Sequence, residues 1–157
     1  MWLRPLLVML SMFLLIPVGA MAEPVDVRDP WVREVPDVSR HSAAYMKLRA
    51  TADENRTLLA ADSPQFQRVE IHESREEEGM ARMVELDSLT VAVGETLVLE
   101  PGGKHLMLMD RKVESLRVGD HVDLVLHFDN DESMELRVPV RKGSPGHDNG
   151  HGHHHHH

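Results

Sequence analysis

Histidine and methionine are the side chains whose types and spacing could do chemistry in this sequence. Residues Lys104-His105-Leu106-Met107-Leu108-Met109-Asp110 alternate with the two-residue period of a β-strand, so His105, Met107 and Met109 project from one face and Leu106 and Leu108 from the other. Alternate positions on one strand face stand about 7 Å apart at Cα, and side chains this long can converge on one ion. The leucines have the evident task of packing a core, which turns the donors to an outer or rim face. Upstream, His72 closes one strand-like run and Met83 sits early in the next, and a hairpin would bring the two close. Thioether sulfur is neutral, soft and polarisable, and with imidazole it suits Cu(I). Zn²⁺ prefers thiolate, imidazole and carboxylate, and Ca²⁺ or Mg²⁺ want oxygen.

The composition narrows the function further. The 157 residues include 12 His and 10 Met but no Cys. That excludes a disulfide framework, a zinc ribbon, a thiol nucleophile and the thiolate of a blue-copper electron carrier. A formal charge of −9 is the wrong sign for nucleic acid. A nucleophile elbow, a His-Glu-x-x-His helix and paired carboxylates in a readable pocket are all missing, so an enzyme is not expected. In an oxidising compartment a thioether still holds Cu(I) where a thiol would be lost to disulfide chemistry.

His72, Met83, His105 and Met107 read as His-x10-Met-x21-His-x-Met, which resembles the signature of the periplasmic copper chaperone family abbreviated PCuAC. The resemblance extends to Asp29-Pro30-Trp31-Val32-Arg33, to the Ala-Ala-Tyr run within 42–48, to Pro101-Gly102-Gly103-Lys104-His105-Leu106-Met107-Leu108-Met109, and to the Gly-Asp-then-strand ending within 116–128. It covers nearly all of residues 23–141. It implies a cupredoxin-like Greek-key barrel holding one Cu(I) at an exposed rim through His72, Met83, His105 and Met107. It also implies delivery of copper to the binuclear copper centre of cytochrome c oxidase, in some members alongside a thioredoxin-fold copper chaperone. Two departures stand out: Asp110 occupies a position where the family commonly has Gly, and 47–50 lacks an Asn-Gly turn. Met109 is a neighbouring or spare donor, Met80 a loop residue, and Met46 and Met134 core filler. His41, His121 and His127 lack partners at ligand spacing, and Trp31 reads as a core aromatic.

The elements that must position these donors are short. No stretch has a defensible helical period, and strands are expected at 25–27, 31–34, 43–49, 57–61, 67–72, 81–86, 90–93, 96–99, 105–109, 122–128 and 134–140. Asp29-Pro30, Ser63-Pro64, Glu78-Gly79, Pro101-Gly102-Gly103, Gly119-Asp120 and residues 129–132 punctuate them as turns or loops, with Glu76-Glu77-Glu78 as a solvated hairpin loop. The pattern is all-β, a cupredoxin-like Greek-key barrel or sandwich over residues 23–142 with a disordered C-terminal tail.

Residues 1–22 read as a secretory signal peptide: Arg4, an apolar run over 6–18 too short to span a bilayer, and Ala20-Met21-Ala22 before cleavage after Ala22. A soluble periplasmic protein without stable membrane insertion is expected, with no cysteine to lipidate. Residues 143–157 form a His-rich tail with His147, His151, His153, His154, His155, His156 and His157. The run of five, preceded by two interspersed His in a chain that keeps its leader, reads as native. Clustered imidazoles would make a second, less selective site for Cu(II), and also for Ni(II) or Zn(II). That supports an alternative role as a periplasmic copper buffer or resistance protein.

Overall fold

The computed structural model describes residues 23–143, so the leader and every tail histidine lie outside the described residues. Ten strands run in the order β1 (Val25–Arg33), β2 (Ser42–Ala50), β3 (Arg56–Asp62), β4 (Phe66–Glu77), β5 (Met80–Glu85), β6 (Leu89–Val91), β7 (Thr96–Leu99), β8 (Lys104–Arg111), β9 (His121–Phe128) and β10 (Ser133–Arg141), with a short 3₁₀ turn at Asp129–Asp131. The expected alternation therefore sets the elements, with two corrections.

The first concerns Asp29-Pro30, which is a bulge inside one continuous strand and not a turn between two. The register of β1 on β2 steps from Arg28 opposite Lys47 to Trp31 opposite Tyr45, so β1 carries one extra residue, and Asp29 sits at φ +49°. An extra residue inverts the parity of everything after it. Val25 and Val27 pack on the core before the bulge and Val32 after it, which turns Trp31 outward. Trp31 is thus buried, but with Ala43 and Tyr45 in a separate cluster outside the main core.

The second concerns the acidic run. Glu76 and Glu77 belong to β4, opposite Ala81 and Met80, and only Glu78-Gly79 makes the turn. Both turn residues have positive φ, +54° and +78°, as the tight two-residue hairpin that matches strand twist requires. This lengthens the hairpin and puts Met80 at the start of β5.

The strands form two sheets packed face to face. One runs β5-β4-β8-β2-β1, with β7 taking over the same edge of β2 beyond β8. The other runs β10-β9-β3-β6 and joins the first through the parallel pairing of β1 with β10. The chain crosses between sheets at β2–β3, β3–β4, β5–β6, β6–β7 and β8–β9, the Greek-key wiring of a cupredoxin-like sandwich. Val32, Met46, Leu48, Leu58, Phe66, Leu106, Leu108, Leu124 and Leu126 fill the space between, and Met134 joins them as expected.

Candidate metal site on the outer sheet face

Leu106 and Leu108 are fully buried, so β8 anchors one face in the core and presents His105, Met107 and Met109 on the other. The antiparallel register of β4 with β8 puts His72 directly opposite His105 and Glu70 opposite Met107, and opposed residues share a face. The two imidazoles meet edge-on, their centroids 5.8 Å apart. On the far side of β4, β5 places Glu85 opposite His72 and Met83 opposite Ser74, one diagonal step from His72 on the same face. All four expected ligands are therefore on one outer sheet face near its β5 edge, and Met109 continues that face opposite Arg68. Met80 falls on the opposite face of the hairpin, by the parity of its pairing with Glu77. Exposure is graded across the site and does not follow a uniform open rim: His105 is 4% exposed, Met107 half-buried and Met83 54% exposed.

Hydrogen bonds fix both rings. His105 Nδ1–H donates to the Gly103 carbonyl at 3.1 Å, and the same carbonyl accepts the Ser74 N–H at 3.0 Å. The Pro101-Gly102-Gly103 turn that aims it needs glycine at Gly102, where φ is +81°. Burial pushes the His105 pKa below the ordinary imidazole value, helped by neighbouring His72 and Arg33 and opposed by the Gly103 carbonyl. The neutral ring keeps its Nε2 lone pair available.

His72 is pinned by its other nitrogen. A carboxylate only accepts, so His72 Nε2–H donates to Glu70 Oε2 at 2.8 Å, which leaves Nδ1 as the nitrogen that can offer a lone pair to a metal. That Nδ1 is buried and has no hydrogen-bond partner. A buried polar atom left unpaired costs about 1–3 kcal/mol, which points to a ligand that completes it. The hydrogen bond from His72 holds the Glu70 carboxyl below the usual range, and Arg68, donating at 2.7 Å, adds to this. Each imidazole thus has one nitrogen tied to the protein and one free to ligate, the arrangement metal-binding histidines adopt.

An aromatic flank closes the side toward β1. Trp31 lies 4.6 Å from Tyr45, Tyr45 lies 6.3 Å from His105, and the Arg33 guanidinium stands 5.6 Å above the Tyr45 ring. Burial pushes the Tyr45 phenol up. Sequence reasoning assigned no role to Tyr45 or Glu70. Glu70 was detectable as the residue two before His72 on a strand, hence on the same face. Glu70, His72 and Glu85 also bring one donor atom each within 4.8 Å of one another, an oxygen-rich set beside the soft one. His41, His121 and His127 stay outside the site; His127 pairs with Asp62 at 2.8 Å, and His41 Nδ1 accepts the Asp110 N–H at 3.3 Å. Asp110, where the resemblance led to an expectation of Gly, has φ +55°, a conformation in which Gly carries no Cβ penalty.

Fold and site together define a small Greek-key β-sandwich that carries two histidines and two methionines on one outer sheet face. The family described as "Putative lipoprotein LpqE-like" matches residues 25–140, and the chain belongs to this family, which is of PCuAC type. "Uncharacterized protein RP573" of Rickettsia prowazekii is 30% identical over 120 residues, 74% of this chain and 66% of that protein, so the chain spans just under two thirds of that relative. "Putative lipoprotein Lxx21020" of Leifsonia xyli subsp. xyli is 30% identical over 132 residues, 83% of this chain and 78% of that one. Among solved structures, CuI-DR1885 from Deinococcus radiodurans is 33% identical with a TM-score of 0.63, over 80% of this chain and 83% of that one. The copper-bound PCuAC domain from PmoF2 shares the fold at 20% identity and a TM-score of 0.64, over 78% and 97%.

Proposed function

We propose that this protein is an exported, non-enzymatic copper chaperone that carries Cu(I) on His72, Met83, His105 and Met107. The observation that carries the reading is the buried, unpartnered Nδ1 of His72 beside a neutral His105 whose Nδ1 is already engaged. Two thioethers on the same face make the donor set soft and neutral, which favours Cu(I) over Zn²⁺. The similarity to a copper(I)-bound structure at 33% identity supports the same cargo.

Transfer follows from the gradient of exposure. Met83, on the edge strand, is the ligand an acceptor reaches first; His105, anchored and buried, lets go last. Copper leaves as the acceptor's donors replace these ligands in that order. The acceptor proposed is the binuclear copper centre of cytochrome c oxidase, with a thioredoxin-fold chaperone as a second partner. Residues 1–22 act as a leader cleaved after Ala22, giving a periplasmic protein. Among the described residues no helix is long and apolar enough to cross a membrane, and the absence of Cys leaves no thiol for lipidation despite the family's description.

A Cu(I) competition titration tests the site. Met83→Ala and Met107→Ala should each weaken binding at least about tenfold, a loss of about 1.4 kcal/mol. Unchanged affinity in either variant removes that residue from the set. The seven His of residues 143–157 favour a second reading, a copper buffer working through the tail. Deleting 143–157 separates the two: oxidase assembly in copper-poor cells should persist under the chaperone reading, and metal tolerance alone should fall under the buffer reading.

A further inference from the structure

We infer that Glu70 is a positioning residue for this site, locking the His72 ring so that its Nδ1 lone pair faces the metal. The inference rests on the copper reading above and deepens it. Glu70 and His72 are two apart on β4, so both project onto the site face, and Oε2 of the carboxylate receives the Nε2–H at 2.8 Å. The carboxylate is itself held: its Oε1 accepts from Arg68 Nε at 2.7 Å, and Arg68 lies 3.7 Å from Asp110 Oδ2. The chain of fixed groups therefore runs Asp110, Arg68, Glu70, His72.

Two alternatives for the ring are closed by this bond. The Nδ1–H tautomer would set a lone pair on Nε2 against the carboxylate, which has no proton to offer. Turning the ring by about 180° about its Cβ–Cγ bond would remove Nε2 from Oε2 altogether. Of the two neutral tautomers only the Nε2–H form fits, in one orientation, with Nδ1 buried and unpartnered. Carboxylate partners of this kind orient ligating histidines, and their loss typically costs 10–100-fold in metal affinity.

A competing role is that Glu70 itself ligates a harder cation, since Glu70, His72 and Glu85 bring donor atoms within 4.8 Å. The engagement of both Glu70 oxygens, one by His72 and one by Arg68, favours positioning.

The test uses the full chain labelled with ¹⁵N. Long-range ¹H–¹⁵N correlations on the copper-free protein should show His72 as a single Nε2–H tautomer in the wild type and in Glu70→Gln, whose amide oxygen still accepts. Glu70→Ala should show averaged tautomers. In Cu(I) competition, Glu70→Ala should weaken binding by about 10–100-fold and Glu70→Gln by much less. A Glu70→Ala protein with the wild-type tautomer and wild-type affinity overturns the inference. So does a Glu70→Gln protein that keeps the wild-type tautomer yet loses as much Cu(I) affinity as Glu70→Ala, because that is the behaviour of a carboxylate ligand. Failure of the copper reading looks different: the His72 Nδ1 resonance of the wild type would not move on adding Cu(I), whatever the variants do.

Discussion

Met83 and Met46 are the same side chain in opposite surroundings, and the contrast gives a sharp test of what the outer face is for. Met83 is 54% exposed on an edge strand, whereas Met46 is 2% exposed in the main core. Without copper, Met83→Ala should change unfolding stability by less than about 0.5 kcal/mol, and Met46→Ala should cost about 2–5 kcal/mol through lost burial and a residual cavity. Copper reverses the order. With free Cu(I) buffered at about 1,000 times the wild-type Kd, binding to the native state adds about 4.1 kcal/mol of stability. If removing the Met83 sulfur weakens binding about tenfold, only about 2.7 kcal/mol of that increment survives. The missing 1.4 kcal/mol corresponds to about 5 °C in melting temperature for a domain of this size. Met46→Ala should keep the whole increment on its lower baseline. The assay is thermal or urea unfolding of each full-length variant at matched buffered Cu(I), reading the copper-dependent difference; tail histidines are common to all variants and drop out of the comparison. The reasoning fails if Met83→Ala retains the full increment, or if Met46→Ala loses as much of it as Met83→Ala does.

Other perturbations probe the scaffold that aims the ligands. His105 has a native pKa held below the ordinary imidazole value, first by burial, so just below about pH 6.5 the unfolded chain binds more protons there than the native one. Copper-free stability from this residue should be complete above that pH and fall as pH drops toward the native pKa. His105→Gln should flatten the slope of urea midpoint against pH below about 6.5, and an unchanged slope would contradict the assignment. Gly102→Ala adds a Cβ at φ +81° with nothing within 4 Å to clash. It should therefore cost about 1–2 kcal/mol from backbone strain alone, measurable by urea unfolding. At Asp110, φ +55° makes Gly the relaxed residue. Asp110→Gly should be at least as stable as the wild type, and Asp110→Val lower by about 1–2 kcal/mol; the reverse ranking would remove the conformational account of this position.

How much of this was legible from the sequence depends on which physical constraint set each feature. The face assignment of His105, Met107 and Met109 was readable because Leu106 and Leu108 leave β8 one way to bury itself. The strand at 96–99 and the core roles of Met46 and Met134 follow from the same alternation. Trp31 is buried, as a core aromatic should be, but in a second cluster with Ala43 and Tyr45; that side of the sheet is not readable locally because a bulge changes parity without a compositional signal, Asp29-Pro30 looks like a turn, and only the cross-strand register reveals the strand continuing through it. Glu76 and Glu77 read as loop because of their charge, whereas an edge hairpin tolerates charged residues with no core face to satisfy. Glu70 went unassigned because its role is second-hand: it becomes visible once His72 is known to have one nitrogen bonded and the other bare.

The bulge also ties the site to the fold more closely than the ligand positions suggest. Had β1 kept its parity past Arg28, Trp31 would point into the sandwich and Val32 out of it, and the wall beside Tyr45 and His105 would be lost. Burial of His105 lowers its pKa and keeps it a neutral donor, and the Trp31–Tyr45 pair lies on the flank that closes the site toward β1. One extra residue in β1 thus connects an irregularity of the sheet to the protonation state of a ligand two strands away. Removing it should separate these effects: deleting Asp29 returns Val32 to the outer face and Trp31 to the core, so the copper-free protein should lose stability, and the His105 pKa should rise toward the ordinary value as its cover is withdrawn. An Asp29-deleted protein that folds with the His105 titration unmoved, followed by its ring proton shifts against pH, would show that the aromatic wall has no part in keeping that ligand neutral.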